Sequence, residues 1–103
     1  MATFNKLVRD KIPAIIRAHG EIPQVRIIED DGEYLKALLQ KDIEEGLELA
    51  QDTNVEELAD KLEVLYAIGK AIGYSPEKIE QARSKKYEDR GGFEARIFLE
   101  STE

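Results

Sequence analysis

The chain has 103 residues and no cysteine, so it suits one small domain spanning residues 1–103 and has neither disulfides nor thiolate metal sites. Its formal net charge is −7, and fourteen of its 22 acidic residues fall between positions 21 and 63, where only four basic residues offset them. This acidic centre makes nucleic acid an unfavourable partner and a divalent cation a favourable one. No segment has the pattern of a signal peptide, and no apolar run approaches the roughly 20 residues that span a bilayer, so we expect a cytoplasmic protein without a membrane partner.

The first predicted elements are a short helix and a short strand. The stretch Asn5–Ala18 predicts a helix entered through a turn, and its regular part should start near residues 10–12, because Pro13 is tolerated only in a first helical turn. Gly20 suits the position just after the end of this helix. The β-branched residues of Val25–Glu29 then predict a strand.

Two longer helices follow in the middle of the chain. Residues 30–51 form an amphipathic pattern of helical period, with Asp31 as the candidate N-cap. A short turn leads to the next helix, which Thr53 or Asn54 should cap and which should end at Gly73. Because the connection is so short, we expect these two helices to be antiparallel neighbours.

The last helix has a strong start signal, with Ser75 at the N-cap and Pro76 in the first helical position, and Gly91 should end it. The alternating stretch Phe93–Glu100 predicts a strand that could pair with Val25–Glu29. The sequence therefore predicts an all-α helical bundle of about four helices, with a minor two-stranded β-ribbon as a possible addition.

The third predicted helix has two faces that both look buried. At 100° per residue, one face is an ordinary apolar core stripe, formed by Val55, Leu58, Leu62, Leu65, Gly69 and Ile72. The opposite stripe is apolar in its last two turns but opens with two carboxylates, and it comprises Glu57, Asp60, Val64, Ala67, Ile68 and Ala71. Two packing faces on one helix indicate a partner subunit in addition to a neighbour in the same chain.

Acidic side chains recur at matching positions on the two middle helices. Glu45 and Glu48 are spaced i,i+3, and Glu57 and Asp60 repeat that spacing on the next helix. In an antiparallel pair these four carboxylates face one another, and their repulsion favours either proton uptake or a cation between them. Mg²⁺ has the required preference for oxygen ligands, and it is commonly shared with substrate phosphates.

The alternative is that these acids are surface residues. Acidic groups are common in the first turn of a helix, where the helix dipole favours them, and Lys41 could neutralise the acids of the preceding helix. The repeated pair on consecutive helices shifts the balance towards a site.

Four stretches, in order, resemble the all-α nucleoside triphosphate pyrophosphohydrolases. "EEGLE" from Glu44 to Glu48 and "ELAD" from Glu57 to Asp60 resemble the EExxE…ExxD signature of the MazG-like and phosphoribosyl-ATP pyrophosphohydrolase-like proteins. The stretches "NKLVRDKIPAII" and "ARSKKYEDRGGFEARIFLE" point to one branch, and together the resemblance covers nearly the whole chain.

The resemblance implies an enzyme that forms a dimer or a dimer of dimers. It implies hydrolysis of a nucleotide at the α–β phosphate link, giving a monophosphate and pyrophosphate, with Mg²⁺ as cofactor and Mn²⁺ as a possible substitute. The expected metal ligands are Glu45, Glu48, Glu57 and Asp60. The expected catalytic residues are Glu44, Glu45 and Glu48, of which Glu44 is expected to orient water or to support a ligand rather than to bind the metal itself.

Two basic clusters lie in the stretches that carry the resemblance. We expect them to bind substrate phosphate or to stabilise a subunit interface, because arginine and lysine suit phosphate oxygens; they are Lys6, Arg9 and Lys11 near the start, and Arg83, Lys86 and Arg90 on the last helix. The alternative for the last helix is a solvated face that pairs with its own acids, Glu80, Glu88 and Asp89.

Three functions remain open at this level. The first is house-cleaning hydrolysis of nucleoside triphosphates, and the second is phosphoribosyl-ATP hydrolysis in histidine biosynthesis, which shares the chemistry. The third is a non-catalytic helical module that binds nucleotides.

One departure from the family pattern is Lys61, which follows Asp60 where a small apolar residue is more usual. The position of Lys61 on the helix predicts that its side chain points away from the metal.

Overall fold

The computed structural model describes residues 2–103 and confirms the all-α class. Its helices are α1 (Ile12–Ala18), α2 (Asp31–Gln51), α3 (Val55–Ala71) and α4 (Pro76–Arg90). The long helices α2 and α3 form an antiparallel pair, and α4 packs against α3 alone. The radius of gyration is 17.8 Å, against about 13 Å for a compact domain of this length, so the chain is extended.

Polar side chains fix where α2 and α3 begin. Asp30, rather than the predicted Asp31, caps α2: its extended backbone lets the carboxylate accept a hydrogen bond from the Glu33 amide at 2.7 Å. Asn54 caps α3, as one of the two predicted candidates, whereas the Thr53 hydroxyl donates back to a carbonyl of α2. Residues 52–54 are therefore the whole connection between the two helices.

The start signal of α4 is confirmed. The Ser75 hydroxyl accepts a hydrogen bond from the Lys78 amide at 3.2 Å, with Pro76 following in the first turn. Gly91 ends the helix with a φ of +82°, a conformation that favours glycine. The regular part of α1 begins at Ile12, inside the predicted interval.

The predicted β-ribbon is wrong, because the structure has no strand between residues 2 and 103. In the second predicted strand, the Arg96 amide donates to the Phe93 carbonyl at 3.0 Å, and Arg96 has a φ of +60°. This turn interrupts the alternation on which the prediction depended. The side chains of Ile27 and Ile97, one from each segment, are more than 80% exposed.

The burial of the two faces of α3 is the reverse of what their composition suggests. The stripe that opens with Glu57 and Asp60 is half-buried against α2. The apolar stripe is exposed along most of its length, by 55% at Leu58 and 48% at Leu62. Its exception is Gly69, which is buried because a methyl group of Ile79 on α4 lies over it.

Helix α2 is divided in the same way. Leu38 is 3% exposed and faces α3, whereas a second apolar row on the same helix is open, formed by Leu39, Ile43 and Leu47. Leu38 is the one large apolar side chain that is buried among the described residues. The α2–α3 pair therefore buries a narrow seam and leaves an apolar surface uncovered on each helix. No helix in the described part of the chain is long and apolar enough to cross a membrane.

Candidate metal centre

Three carboxylates meet where the short connection brings the end of α2 beside the start of α3. One oxygen each of Glu45, Glu57 and Asp60 lies within 4.8 Å of the other two. Ligand oxygens around Mg²⁺ are separated by roughly 3–4 Å, given metal–oxygen distances of about 2.1 Å. Small rotations of the side chains are therefore enough to close the three oxygens on one cation.

Burial makes this cluster different from an acidic surface. Glu45 is 6% exposed, and its Oε2 atom has no hydrogen-bond partner among residues 2–103. The Oε2 atom of Glu57 is equally buried and unpaired. A buried acceptor without a partner destabilises a fold, more so when it is charged. The two unpaired oxygens therefore fit the donor set of a bound hard cation.

The pKa of Glu45 reflects the same crowding. Burial raises this pKa above its ordinary value, and the charge of the neighbouring Glu48 raises it further. Lys41 acts in the opposite direction, because its Nζ lies 3.4 Å from Glu45 Oε1. The cluster thus holds a carboxylate whose charge one lysine offsets only in part, and a divalent cation would complete the compensation.

The fourth predicted ligand, Glu48, lies beside Glu45 but is not one of the three converging groups. It is exposed, whereas the other three predicted ligands are buried or half-buried. Glu48 therefore lies at the solvent-exposed side of the cluster.

The remaining predicted catalytic residue, Glu44, is held between two lysines. Its Oε1 lies 3.4 Å from the Nζ of Lys6, and its Oε2 lies 3.6 Å from that of Lys41. Glu44 thus lies on the flank of the cluster, where it pairs with both lysines.

The N-terminal basic cluster reaches the same place. Besides the pair of Lys6 with Glu44, Arg9 Nη2 lies 2.7 Å from Asp60 Oδ1. Lys11, the third member, is exposed at the start of α1 and has no ion pair in the described chain. Two of the three predicted basic residues therefore pair with acids at the cluster or on its flank, Lys6 with an acid of α2 and Arg9 with an acid of α3.

Lys61 is turned away from the cluster. Its Nζ lies 2.7 Å from Asp42 Oδ1 and 3.3 Å from the Asp42 carbonyl oxygen. This half-buried pair ties α3 to α2 one turn before Gly46. It leaves the carboxylates of the cluster free of competition from Lys61.

The basic residues of α4 lie elsewhere in the chain. Arg83, Lys86 and Arg90 line an open groove of about 840 Å³ between α4 and the segment that follows it. Arg83 pairs with Glu80 on its own helix at 2.6 Å. None of the acids of the cluster lines this groove, so a single chain does not bring its α4 cations to the acidic cluster.

A second open groove, of about 850 Å³, lies farther along α3. Three of the four tyrosines of the chain, Tyr34, Tyr66 and Tyr74, line it together with Asp10 and Glu63. Asp10 directly follows Arg9, so the N-terminal segment connects this tyrosine groove with the acidic cluster.

Sequence reasoning missed two features of this region. It treated Lys41 only as a possible surface neighbour, although the i,i+4 spacing to Glu45 is a signal for the pair. It gave no role to Asp42, and no local spacing could have paired Asp42 with Lys61 across two helices.

Comparisons with known proteins leave the family open. No family model matches the chain, and no solved structure matches it. The chain is similar to an uncharacterized protein of Mycolicibacterium smegmatis, with 53% identity over 49 residues. That alignment covers 47% of this chain and 49% of the relative, so the chain spans about half the length of the curated protein it matches.

Proposed function

We propose that the protein is a Mg²⁺-dependent nucleotide pyrophosphohydrolase that cleaves the link between the α- and β-phosphates. One observation carries the proposal: Glu45, Glu57 and Asp60 converge within 4.8 Å, and two of them present buried oxygens without a partner. The order of the four sequence stretches that resemble pyrophosphohydrolases supports it independently. Mn²⁺, which accepts the same oxygen ligands, is the expected substitute.

The three converging carboxylates would hold the cation, with Glu48 as an additional ligand or as a base. When bound, Mg²⁺ supplies charge neutralisation for the phosphates and lowers the pKa of a nearby water. The carboxylate of Glu48, exposed beside Glu45, accepts a proton from the attacking water. The water oxygen bonds to the α-phosphorus, the α–β bridge breaks, and pyrophosphate leaves.

The tyrosine groove is the proposed site of the nucleobase. Tyr34 and Tyr66 offer aromatic surfaces on which a base can stack, and such stacking tolerates many bases. The carboxylates of Asp10 and Glu63 can accept hydrogen bonds from exocyclic amino groups. In the proposed binding mode, the base lies on one side of Arg9 and the phosphates lie on the other.

A second copy of the chain is the proposed cover for the exposed apolar rows. Those rows comprise Leu39, Ile43 and Leu47 on α2 and Leu58, Leu62 and Leu65 on α3, each at least 43% exposed. Uncovered apolar surface of this extent is typical of an obligate interface. We therefore propose a homodimer, or a dimer of such dimers.

The groove lined by Arg83, Lys86 and Arg90 on α4 stays a predicted phosphate-binding surface.

The decisive experiment is hydrolysis of a panel of canonical and modified nucleoside triphosphates, together with phosphoribosyl-ATP, in the presence of Mg²⁺. Pyrophosphate and orthophosphate are scored separately. We expect monophosphate plus pyrophosphate from the wild type, a loss of turnover in Glu48→Gln and Asp60→Asn, and unchanged turnover in Glu56→Gln. Glu56 is the matched control because it is an exposed acid on the first turn of the same helix.

The panel also separates the alternatives. Turnover of phosphoribosyl-ATP alone would assign the histidine pathway reaction, and turnover of modified triphosphates would assign house-cleaning. Binding of Mg²⁺ and nucleotide with no turnover of any substrate would establish the non-catalytic module and refute the enzyme.

A further inference from the structure

The N-terminal segment lies across the acidic cluster. We name residues 4–10 the strap. Lys6 Nζ lies 3.4 Å from Glu44 Oε1 on α2, and Arg9 Nη2 lies 2.7 Å from Asp60 Oδ1 on α3. Leu7, between these two cations, is half-buried. The strap therefore spans both long helices and places a positive charge against an acid of each.

We propose that Arg9 is an exchangeable counter-ion of the metal centre that transfers to substrate phosphate. A divalent cation bound at Asp60 competes with the guanidinium for the same carboxylate. Once the carboxylate charge is shared with the cation, Arg9 binds phosphate oxygens of the nucleotide held at the centre. This inference rests on the proposed function and assigns Arg9 to positioning the phosphate, with Lys6 in a supporting role.

The exposure of the ion pairs makes this exchange feasible. The side chains of Arg9 and Asp60 are 56% and 41% exposed, and those of Lys6 and Glu44 are 40% and 34% exposed. Exposed ion pairs contribute little to stability, so a divalent cation can displace them. Lys41, with a side chain only 17% exposed, is half-buried beside Glu45, so its pair is the less accessible to a competing cation.

The planar guanidinium of Arg9 suits a phosphate, which is its proposed second partner. A guanidinium presents paired N–H donors that match two phosphate oxygens, whereas in the structure Arg9 gives Asp60 a single contact. Asp10, the next residue, already lines the tyrosine groove. A phosphate between the acidic cluster and that groove therefore lies within reach of the Arg9 side chain.

The first test measures affinity by calorimetry for two probes, Mg²⁺ alone and Mg²⁺ with inorganic pyrophosphate. Arg9→Gln is compared with Arg17→Gln, which removes the same charge from an exposed arginine on α1 that has no ion pair in the described chain. Relative to this control, we expect Arg9→Gln to bind Mg²⁺ about two- to fivefold more tightly, the scale of one exposed ion pair. We expect it to bind magnesium pyrophosphate about tenfold more weakly, the scale of a charge-assisted phosphate contact.

The diagnostic result is that Arg9→Gln changes the affinity for Mg²⁺ and the affinity for magnesium pyrophosphate in opposite directions. An arginine with a merely structural role would weaken both affinities when it is replaced. Equal Mg²⁺ affinities in the two variants would overturn the exchange while leaving the metal centre intact. Failure of the wild type to bind Mg²⁺ would instead overturn the proposed function, and the exchange with it.

The second test follows the strap directly. Because the chain has no cysteine, Thr3→Cys gives a single site for a nitroxide spin label beside the strap. We expect Mg²⁺ to increase the mobility of the label in the otherwise wild-type chain. In Thr3→Cys/Arg9→Gln we expect high mobility before Mg²⁺ is added and no further change. A label whose mobility is unaffected by Mg²⁺ at saturation would contradict the release of Arg9.

Discussion

Substitution of Glu45 by glutamine should have opposite effects on thermal stability with and without a divalent cation. Glu45 is 6% exposed with one unpaired oxygen, and its raised pKa shows that its charge is disfavoured in the fold. Glutamine keeps the shape and removes the charge. In the presence of a chelator, Lys41 is the one cation among residues 2–103 that pairs with the Glu45 carboxylate. Under these conditions we expect Glu45→Gln to stabilise the chain by about 1 kcal/mol, at the low end of the range for an unsatisfied buried group.

The magnitudes set the expected melting temperatures. A stabilisation of 1 kcal/mol corresponds to about 4–8 °C for a domain of this size, so the variant should melt higher than the wild type in chelator. At a Mg²⁺ concentration of about 100 times Kd, the wild type should gain about 2.7 kcal/mol, because the cation binds only the folded chain. The variant has lost a ligand and should gain far less, so the order of the two melting temperatures reverses.

Differential scanning calorimetry in EDTA and in saturating Mg²⁺ measures this reversal, with Glu56→Gln as the control that keeps the wild-type response. A variant that melts below the wild type in EDTA would show that Glu45 is stabilised by Lys41 rather than strained by burial. A full Mg²⁺ response in Glu45→Gln would remove this residue from the metal centre.

The pH dependence of stability follows from the same residue. Because the folded chain holds the Glu45 proton more tightly than the unfolded chain, the folded state binds more protons above the ordinary glutamate range. Stability should therefore fall as the pH rises from the ordinary pKa of glutamate through the raised pKa of Glu45. Urea titrations across this interval should show that slope in the wild type. The difference in unfolding free energy between the wild type and Glu45→Gln should change with pH in the same way, and a difference that is independent of pH would contradict the assigned burial.

Three further predictions test the fold around the site. Leu62→Glu, on the exposed row of α3, should convert the proposed dimer to monomer in light scattering, and an unchanged mass would refute the proposed interface. Asp42→Ala should lower stability by about 1 kcal/mol in urea unfolding, because it leaves the half-buried Lys61 without its partner. Glu80→Ala breaks an exposed ion pair and should leave the stability unchanged. Asn54→Ala should lower stability by about 1 kcal/mol, because α3 loses its N-cap. If Thr53→Ala had the larger effect, Thr53 rather than Asn54 would be the cap of α3.

Local signals in the sequence were sufficient for most of the helices. Ser75 and Pro76 mark the start of α4, and Asn54 marks that of α3, because capping depends on atoms within one turn. The same local geometry brings Glu57 and Asp60 onto one face. The absence of the β-ribbon between residues 2 and 103 could not be predicted this way, because a strand needs a partner and the turn at Phe93–Arg96 breaks the alternation.

By itself, the sequence determined the helices, their antiparallel pairing through a three-residue connection, and the recurrence of carboxylates at i,i+3 on both. The tertiary structure decided which face of α3 packs on α2, because both faces carry apolar residues and composition alone could not rank them. It also brought Lys6 to Glu44 and Arg9 to Asp60, pairs separated by 38 and 51 positions in the chain. Contacts of that range depend on how the chain closes on itself, and no local periodicity encodes them.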